Sequence, residues 1–241
     1  MPWRFALAAL ALAWMTIADA RHSNAVLDPR RATPGVDLEL VEVPRSTPAD
    51  AVKYRLRVAG LPVGTAFGVW TRSFGRDFVE VVAGLRSEAS GVLVVADGTG
   101  AKQRLEDIEL EPGPYPRGAA WWVAVASEDH KTAAFARVVP YPIVARDGSC
   151  SISLELISLY GNRFIAIASG FPPGNEVDIE SHASGTVTRK RQRVDADGTL
   201  PLDVVTHGTL GADPVARYAV KAHGCAPAVE YRWGENALKD H

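Results

Sequence analysis

The sequence is poor in sulfur-containing residues, in long apolar segments and in any excess of charge. Its 241 residues include two cysteines and two methionines, and 26 basic side chains balance 28 acidic ones. A net charge of −2 gives no electrostatic reason to expect binding to nucleic acid. Beyond the N-terminus no apolar stretch reaches the length of a membrane span, so we expect none in the mature chain.

Familiar catalytic motifs are also missing. The sequence contains no Gly-x-Ser-x-Gly, Ser-x-x-Lys or His-Glu-x-x-His motif and no phosphate-binding glycine loop. We therefore expect no enzymatic activity, no catalytic residue and no cofactor.

Metal-binding residues are present but scattered. His182, His207 and His223 could bind zinc or copper only if they converged, and they follow strands that run in opposite directions, so we expect no metal site. Asp195–Gly198 is typical of a hairpin turn rather than a calcium loop. Glu128-Asp129-His130 is interpreted as a charged hairpin tip rather than a metal or proton-transfer site.

Residues 1–20 have the pattern of a secretory signal peptide. Arg4 precedes an almost wholly apolar stretch from Phe5 to Ile17, and Ala18 and Ala20 are the small residues that flank a cleavage site. The stretch is too short to span a bilayer comfortably. We predict that the mature protein is exported, either secreted or periplasmic.

The two cysteines, Cys150 and Cys225, lie 75 positions apart. In an exported chain a single pair of cysteines predicts one disulfide. In the chain-entropy description, a bridge that closes a loop of this length stabilises the fold by about 4 kcal/mol.

A short phrase occurs twice, as Gly60-Leu61-Pro62-Val63-Gly64 and as Gly170-Phe171-Pro172-Pro173-Gly174. Each copy closes one alternating apolar run and precedes another, which predicts β-strands on both sides. The glycines and prolines end one strand and turn the chain toward a facing sheet. The predicted strands are 38–41, 54–58, 67–70, 78–82, 90–95, 121–127 and 133–139 in the first copy, and 154–157, 164–168, 177–180, 186–194, 197–202, 218–223 and 228–232 in the second.

About seven short strands per copy is the spacing of a β-sandwich. The stretch Ser169–Gly174 and the later turn Asp195–Thr199 resemble bacterial immunoglobulin-like modules of exported proteins. The resemblance implies an all-β fold of two tandem immunoglobulin-like β-sandwich domains, at 36–141 and 149–233, followed by a polar tail at 234–241. In such a sandwich the first strand can run parallel to the last, which would bring Cys150 and Cys225 together. The fold implies no activity.

Three connecting segments have their own predictions. The junction 140–148 begins with two prolines and is expected to be a semi-rigid joint. The stretch 101–110 combines apolar and acidic residues in a pattern that suggests a helix. The tail after Trp233 is polar and is expected to be loose.

Two groups of side chains are candidate surfaces. Trp121 and Trp122 are expected to point to opposite faces of a strand, and an exposed ring among Trp70, Trp121 and Trp122 could stack on a sugar. Arg189, Arg191 and Arg193 could contact a polyanion, but on an edge strand they more simply prevent aggregation.

The function expected from these features is that of an exported, non-enzymatic binding or interaction module with an unknown protein or glycan partner. The alternatives are a carbohydrate- or metal-binding accessory protein, a small hydrolase and a pilus-type periplasmic chaperone. The chaperones share the two-domain plan, but the apolar strand that they lend to subunits is not evident here, and the repeated phrase is foreign to them.

Overall fold

The structure is a computed structural model that describes residues 27–47, 51–96, 101–207 and 215–239. Within these ranges strands alternate with turns, and the helical residues form three short 3-10 turns at Pro29–Arg31, Leu105–Asp107 and Gly234–Ala237. The prediction of an all-β protein is confirmed. The predicted signal peptide, residues 1–20, lies outside the described residues.

The first half of the chain forms two antiparallel sheets. Its nine strands in the described ranges are β1 (Asp37–Glu42), β2 (Tyr54–Ala59), β3 (Ala66–Arg72), β4 (Val79–Ser87), β5 (Leu93–Ala96), β6 (Lys102–Arg104), β7 (Glu109–Leu110), β8 (Trp121–Ser127) and β9 (Ala133–Val138). One sheet has the order β1-β2-β7, and the other, six-stranded, has the order β6-β5-β4-β3-β8-β9.

The second half repeats this plan with four strands in each sheet. Its eight described strands are β10 (Ile143–Asp147), β11 (Cys150–Leu156), β12 (Arg163–Ser169), β13 (Glu176–Ala183), β14 (Thr186–Arg193), β15 (Thr199–Val205), β16 (Val215–Lys221) and β17 (Ala228–Arg232). The sheet orders are β10-β11-β12-β15 and β14-β13-β16-β17. The immunoglobulin type of the two halves stays a prediction.

In each half the two sheets bury their facing sides against each other. Tyr54 of β2 contacts Trp121 of β8 with 5.7 Å between ring centroids, and both are almost fully buried. In the second half Phe164 of β12 meets Tyr231 of β17 edge-to-face at 4.8 Å. Aromatic pairs of this kind bury large apolar areas, so each half is a two-layer β structure with a core between its sheets.

The repeated phrase makes the same hydrogen bond in both halves. The Gly64 N–H donates to the Ser87 carbonyl oxygen at 2.9 Å, and the Gly174 N–H donates to the Val194 carbonyl oxygen at 3.1 Å. Both glycines have φ of 75°, in the left-handed region that glycine adopts without steric cost. The phrase therefore ties the start of β3 to the end of β4, and the start of β13 to the residue that follows β14.

The two halves diverge after the next turn. The bond from the Gly91 N–H to the Glu88 carbonyl oxygen matches that from the Gly198 N–H to the Asp195 carbonyl oxygen. From there β15 pairs with β12, whereas β5 pairs with β4 in the other sheet. The strands 90–95 and 197–202, predicted as the fifth of each copy, are thus equivalent at the turn only. In the first half the short strand β7, which pairs with β2, occupies the position that β15 has in the second half.

The helix predicted at 101–110 is not formed. The segment consists of β6, the single 3-10 turn Leu105–Asp107 and β7. Leu105 and Leu110 are both buried, so the chain uses their apolar side chains to cover the core as it returns from the six-stranded sheet to β2. An extended segment covers that span with fewer residues than a helix, since it rises more than twice as far per residue.

Two other connecting segments are more ordered than expected. The junction contains β10, which pairs with β11 around the turn at Gly148, so the second half begins before residue 149. In the tail, the 3-10 turn Gly234–Ala237 docks on the second half: the Gly234 N–H donates to the Gly161 carbonyl oxygen at 2.8 Å, and Ala237 is 5% exposed.

The predicted disulfide joins Cys150 to Cys225, with 6.2 Å between their Cα atoms. Cys150 begins β11 and Cys225 lies in the turn between β16 and β17, so the bridge connects the two sheets of the second half. Both cysteines are buried. The first half has no cysteine, so its two sheets are held together without a disulfide.

Candidate binding face of the six-stranded sheet

The outer side of the six-stranded sheet carries a row of aromatic and arginine side chains. Arg72 on β3 lies opposite Trp122 on β8, which lies opposite Arg137 on β9. Because side chains alternate between the two sides of a strand, this register places all three on one face. Trp121, the neighbour of Trp122, is 2% exposed and belongs to the core.

Cations and rings alternate along this row. The Arg72 guanidinium carbon lies 4.9 Å from the centroid of the Phe78 ring and 5.0 Å from that of Trp122, and the Arg137 guanidinium carbon lies 5.7 Å from Trp122. These separations are within the range of cation–π attraction. Arg137 also forms an ion pair with Glu155 of β11, which extends the row to the second half. We call Phe78, Arg72, Trp122 and Arg137 the binding row.

Trp70 lies on the same face but is covered. It is 7% exposed and packs with Leu27, Phe78 and Phe135 over a floor of small side chains, Ala124, Ala126 and Ala133. Leu27 fills this hollow because the segment that follows it is fixed to β9: the Thr33 N–H donates to the Ala133 carbonyl oxygen at 2.8 Å. Trp70 is therefore not available as a stacking surface, whereas Trp122 is half-buried and keeps part of its ring exposed.

A carboxyl and an imidazole lie beside Trp70. Glu80 is opposite Trp70 in the register, and a Cβ on Gly68 would overlap its carboxyl oxygen, so glycine leaves the room that this side chain takes. Partial burial raises the pKa of Glu80, nearby His130 opposes that shift, and Glu128 adds to it. The His130 ring meets Trp70 edge-on at 5.5 Å.

His130 and Glu80 are close to Trp70 but are not hydrogen-bonded to each other within the described ranges. The Nδ1 atom of His130 is buried without a hydrogen-bond partner in the described part of the chain. Nucleophilic or acid–base catalysis needs groups within hydrogen-bond reach of one another or of the substrate. Glu80 is exposed and His130 is half-buried beside Trp70.

The basic strand is β14, at the edge of its sheet. Arg189 lies 3.5 Å from a carboxylate oxygen of Glu180, and Arg191 lies 2.9 Å from one of Asp178. Arg193 is opposite Glu176 in the register. Because acidic residues of β13 neutralise much of this charge, β14 presents a charged edge that suits the discouragement of strand pairing better than polyanion binding.

Metal-binding geometry is not found in the described ranges, where no group of three or more His, Cys, Asp or Glu side chains could hold an ion. His182 hydrogen-bonds to Glu180 on its own strand, while His207 follows β15 and His223 lies between β16 and β17. Asp195 and Gly198 form a turn, but it joins β14 to β15 of the other sheet, so the prediction of a hairpin between paired strands is wrong there.

Arg72, Phe78 and Leu27 were not identified from the sequence. Alternation along β3 is readable and would have placed Arg72 on the side of Trp70. The pairing of Arg72 with Trp122 joins strands 50 positions apart, and the contact of Leu27 with Trp70 depends on the path of a non-repetitive segment. Neither has a local sequence signal.

Comparison of the sequence with protein families and with curated proteins finds no match. Among solved structures, a tetra-tandem repeat in the extending region of a large adhesion protein is similar at 10% identity, with 81% of this chain and 47% of that chain covered and a TM-score of 0.25. A structure described as giving insight into host cell surface retention of a 1.5-MDa bacterial ice-binding adhesin is similar at 11% identity, with 83% and 63% covered and a TM-score of 0.23. The chain thus spans less than two thirds of either structure. Both TM-scores are too low to show a shared overall fold.

No helix in the described ranges is long and apolar enough to cross a membrane.

Proposed function

We propose that this chain is an exported, non-enzymatic module that binds carbohydrate through the outer side of its six-stranded sheet. The observation that carries the proposal is the position of Trp122, a partly exposed residue of that face with Arg72 and Arg137 within cation–π distance of its ring. An indole ring offers a flat apolar surface with a polar rim, which complements the C–H face and hydroxyl edges of a sugar. The two guanidinium groups add hydrogen-bond donors in a fixed orientation.

Export and the lack of catalysis are supported by separate features. A signal-like N-terminus and a disulfide between Cys150 and Cys225 suit an oxidising compartment. Glu80, whose pKa is raised chiefly by burial, lies on the strand opposite Trp70, and no hydrogen bond joins it to His130 in the described residues. A small hydrolase is therefore the less favoured function.

The test is a glycan array probed with the mature protein, followed by calorimetry on each glycan retained. Trp122→Ala is expected to weaken binding about tenfold or more, since removing a central aromatic contact costs more than about 1.4 kcal/mol. Tyr160→Ala is the matched control, because Tyr160 is an aromatic residue 80% exposed outside this face.

Failure of the intact protein to retain any glycan, or equal binding by the Trp122 variant, would refute the proposal. Release of new reducing ends from a bound glycan would instead favour the hydrolase.

A further inference from the structure

The Arg72 side chain is held in place but has no acidic partner among the residues that the structure describes. It is half-buried with its guanidinium carbon 4.9 Å and 5.0 Å from two ring centroids. No ion pair or side-chain hydrogen bond of Arg72 is found in the described part of the chain. A guanidinium carries five N–H donors and cannot lose its charge in a protein, so this face offers a positioned and unsatisfied cation.

Arg137 and Arg163 show how a held arginine is usually paired in this chain. Arg137, the other cation of the binding row, pairs with Glu155. Arg163 donates two hydrogen bonds to Asp203, at 3.0 and 2.8 Å. Arg72 differs from these two in being held by two aromatic rings and by no acidic group of the described residues, although Asp77 precedes the Phe78 ring and Glu80 lies one row away beside Trp70.

We propose that Arg72 recognises a carboxylate on a sugar ring, so that the ligand of the binding row is a glycan that contains uronic acid. The planar guanidinium fork matches a carboxylate through two parallel hydrogen bonds. Phe78 and Trp122 restrict the guanidinium before the ligand arrives, which lowers the entropy lost on binding. This inference rests on the proposed function and names the class of carbohydrate ligand.

The experiment uses three acidic polysaccharides, polygalacturonate, hyaluronan and alginate, each beside a carboxyl-reduced form in which the acid has become a primary alcohol. Binding of the mature protein is measured by calorimetry. At least one acidic form is expected to bind about tenfold or more tightly than its reduced counterpart, because hydrogen bonds to a charged group are the strong ones.

Three variants locate the effect. Arg72→Gln is expected to weaken binding of the acidic form about tenfold or more and that of the reduced form much less, so that the preference is lost, and Arg72→Lys, which keeps the charge but not the fork, to retain part of the preference. Arg76→Gln, an exposed arginine in the adjoining turn, is the matched control and should change nothing. Thermal unfolding of each variant excludes a folding defect.

The outcomes separate the two proposals. Equal binding of acidic and reduced forms, or an acid preference that survives Arg72→Gln, overturns the role of Arg72 and leaves carbohydrate binding intact. Retention of neutral glycans alone on the array has the same meaning. Absence of binding to every polysaccharide and every array glycan overturns both.

Discussion

The two glycines of the repeated phrase have different structural roles. Gly60 and Gly170 end β2 and β12 with φ of 80° and 79°. A Cβ on Gly60 would overlap the Gly35 carbonyl oxygen, and one on Gly170 would overlap that of Ser149. The first glycine of the phrase thus allows close contact with the turn that precedes β1 in the first half and β11 in the second half. This role differs from that of the second glycine.

Alanine substitutions separate these roles. Gly174→Ala places a side chain at positive φ in open space and is expected to cost about 1–2 kcal/mol of unfolding free energy. Gly170→Ala meets the same conformational cost and also forces Ser149 away, so we expect a loss larger by about 1–3 kcal/mol. Urea unfolding of both variants measures the difference. Equal losses would show that the Ser149 turn moves aside freely and that the close approach is not required.

At the scale of strands, the alternation of apolar residues predicted where strands lie, but the sequence did not predict which strands pair. The bounds of β8 and β17 equal those predicted from the alternating residues 121–127 and 228–232. The wrong prediction concerns the strand after Gly91 in the first half. The turn before it is the same in both halves, but β5 stays in the sheet of β4 whereas β15 joins the opposite sheet. Local residues specify a turn and the inward side of a strand, but the choice of neighbouring strand depends on contacts remote in sequence.

The contact of β13 with β16 has a pH-dependent component centred on Glu180. Its side chain is 16% exposed and accepts hydrogen bonds from His182 and from Lys221, the latter at 3.0 Å. These donors, His182 before Lys221, lower the pKa of Glu180 from 4.5 to about 2. A carboxyl with a depressed pKa stabilises the fold above its unfolded value, and this stability is lost as pH falls through the folded value.

Glu180→Gln is therefore expected to be less stable than the parent protein above about pH 4.5, with the difference shrinking as pH falls toward about 2. Urea unfolding at a series of pH values measures it. Glu176→Gln on the same strand is the control, because its ion pair with Arg191 is long, at 3.9 Å, and exposed pairs contribute little. A difference that is constant between pH 2 and 6 would contradict the assignment.

In the whole molecule the two halves are joined by more than a linker. The Leu156 N–H donates to the Gly118 carbonyl oxygen at 2.9 Å, and the Gly118 N–H to that of Tyr141 at 2.8 Å. Ala119 pairs with Leu156 in a parallel bridge, and one set of buried residues runs through both cores. The sequence indicated two units and a short joint between them. It could not indicate this contact, since the backbone groups that form it lie in turns and at strand ends.

Such a junction predicts that the halves unfold together and that the disulfide of the second half stabilises the first. The Cys150→Ser/Cys225→Ser variant should lose about 2–4 kcal/mol of unfolding free energy, because the bridge restricts the unfolded chain. Trp70, Trp121 and Trp122 lie in the first half and Trp233 follows β17 in the second, so both proteins carry Trp233→Phe and the fluorescence of the mature chain then reports on the half without the bridge. If the halves are coupled, the urea midpoint seen by fluorescence falls with that seen by circular dichroism, in one shared transition. A fluorescence midpoint that does not move when the disulfide is removed would show that the contacts at Gly118 and Leu156 are too weak to couple the two halves.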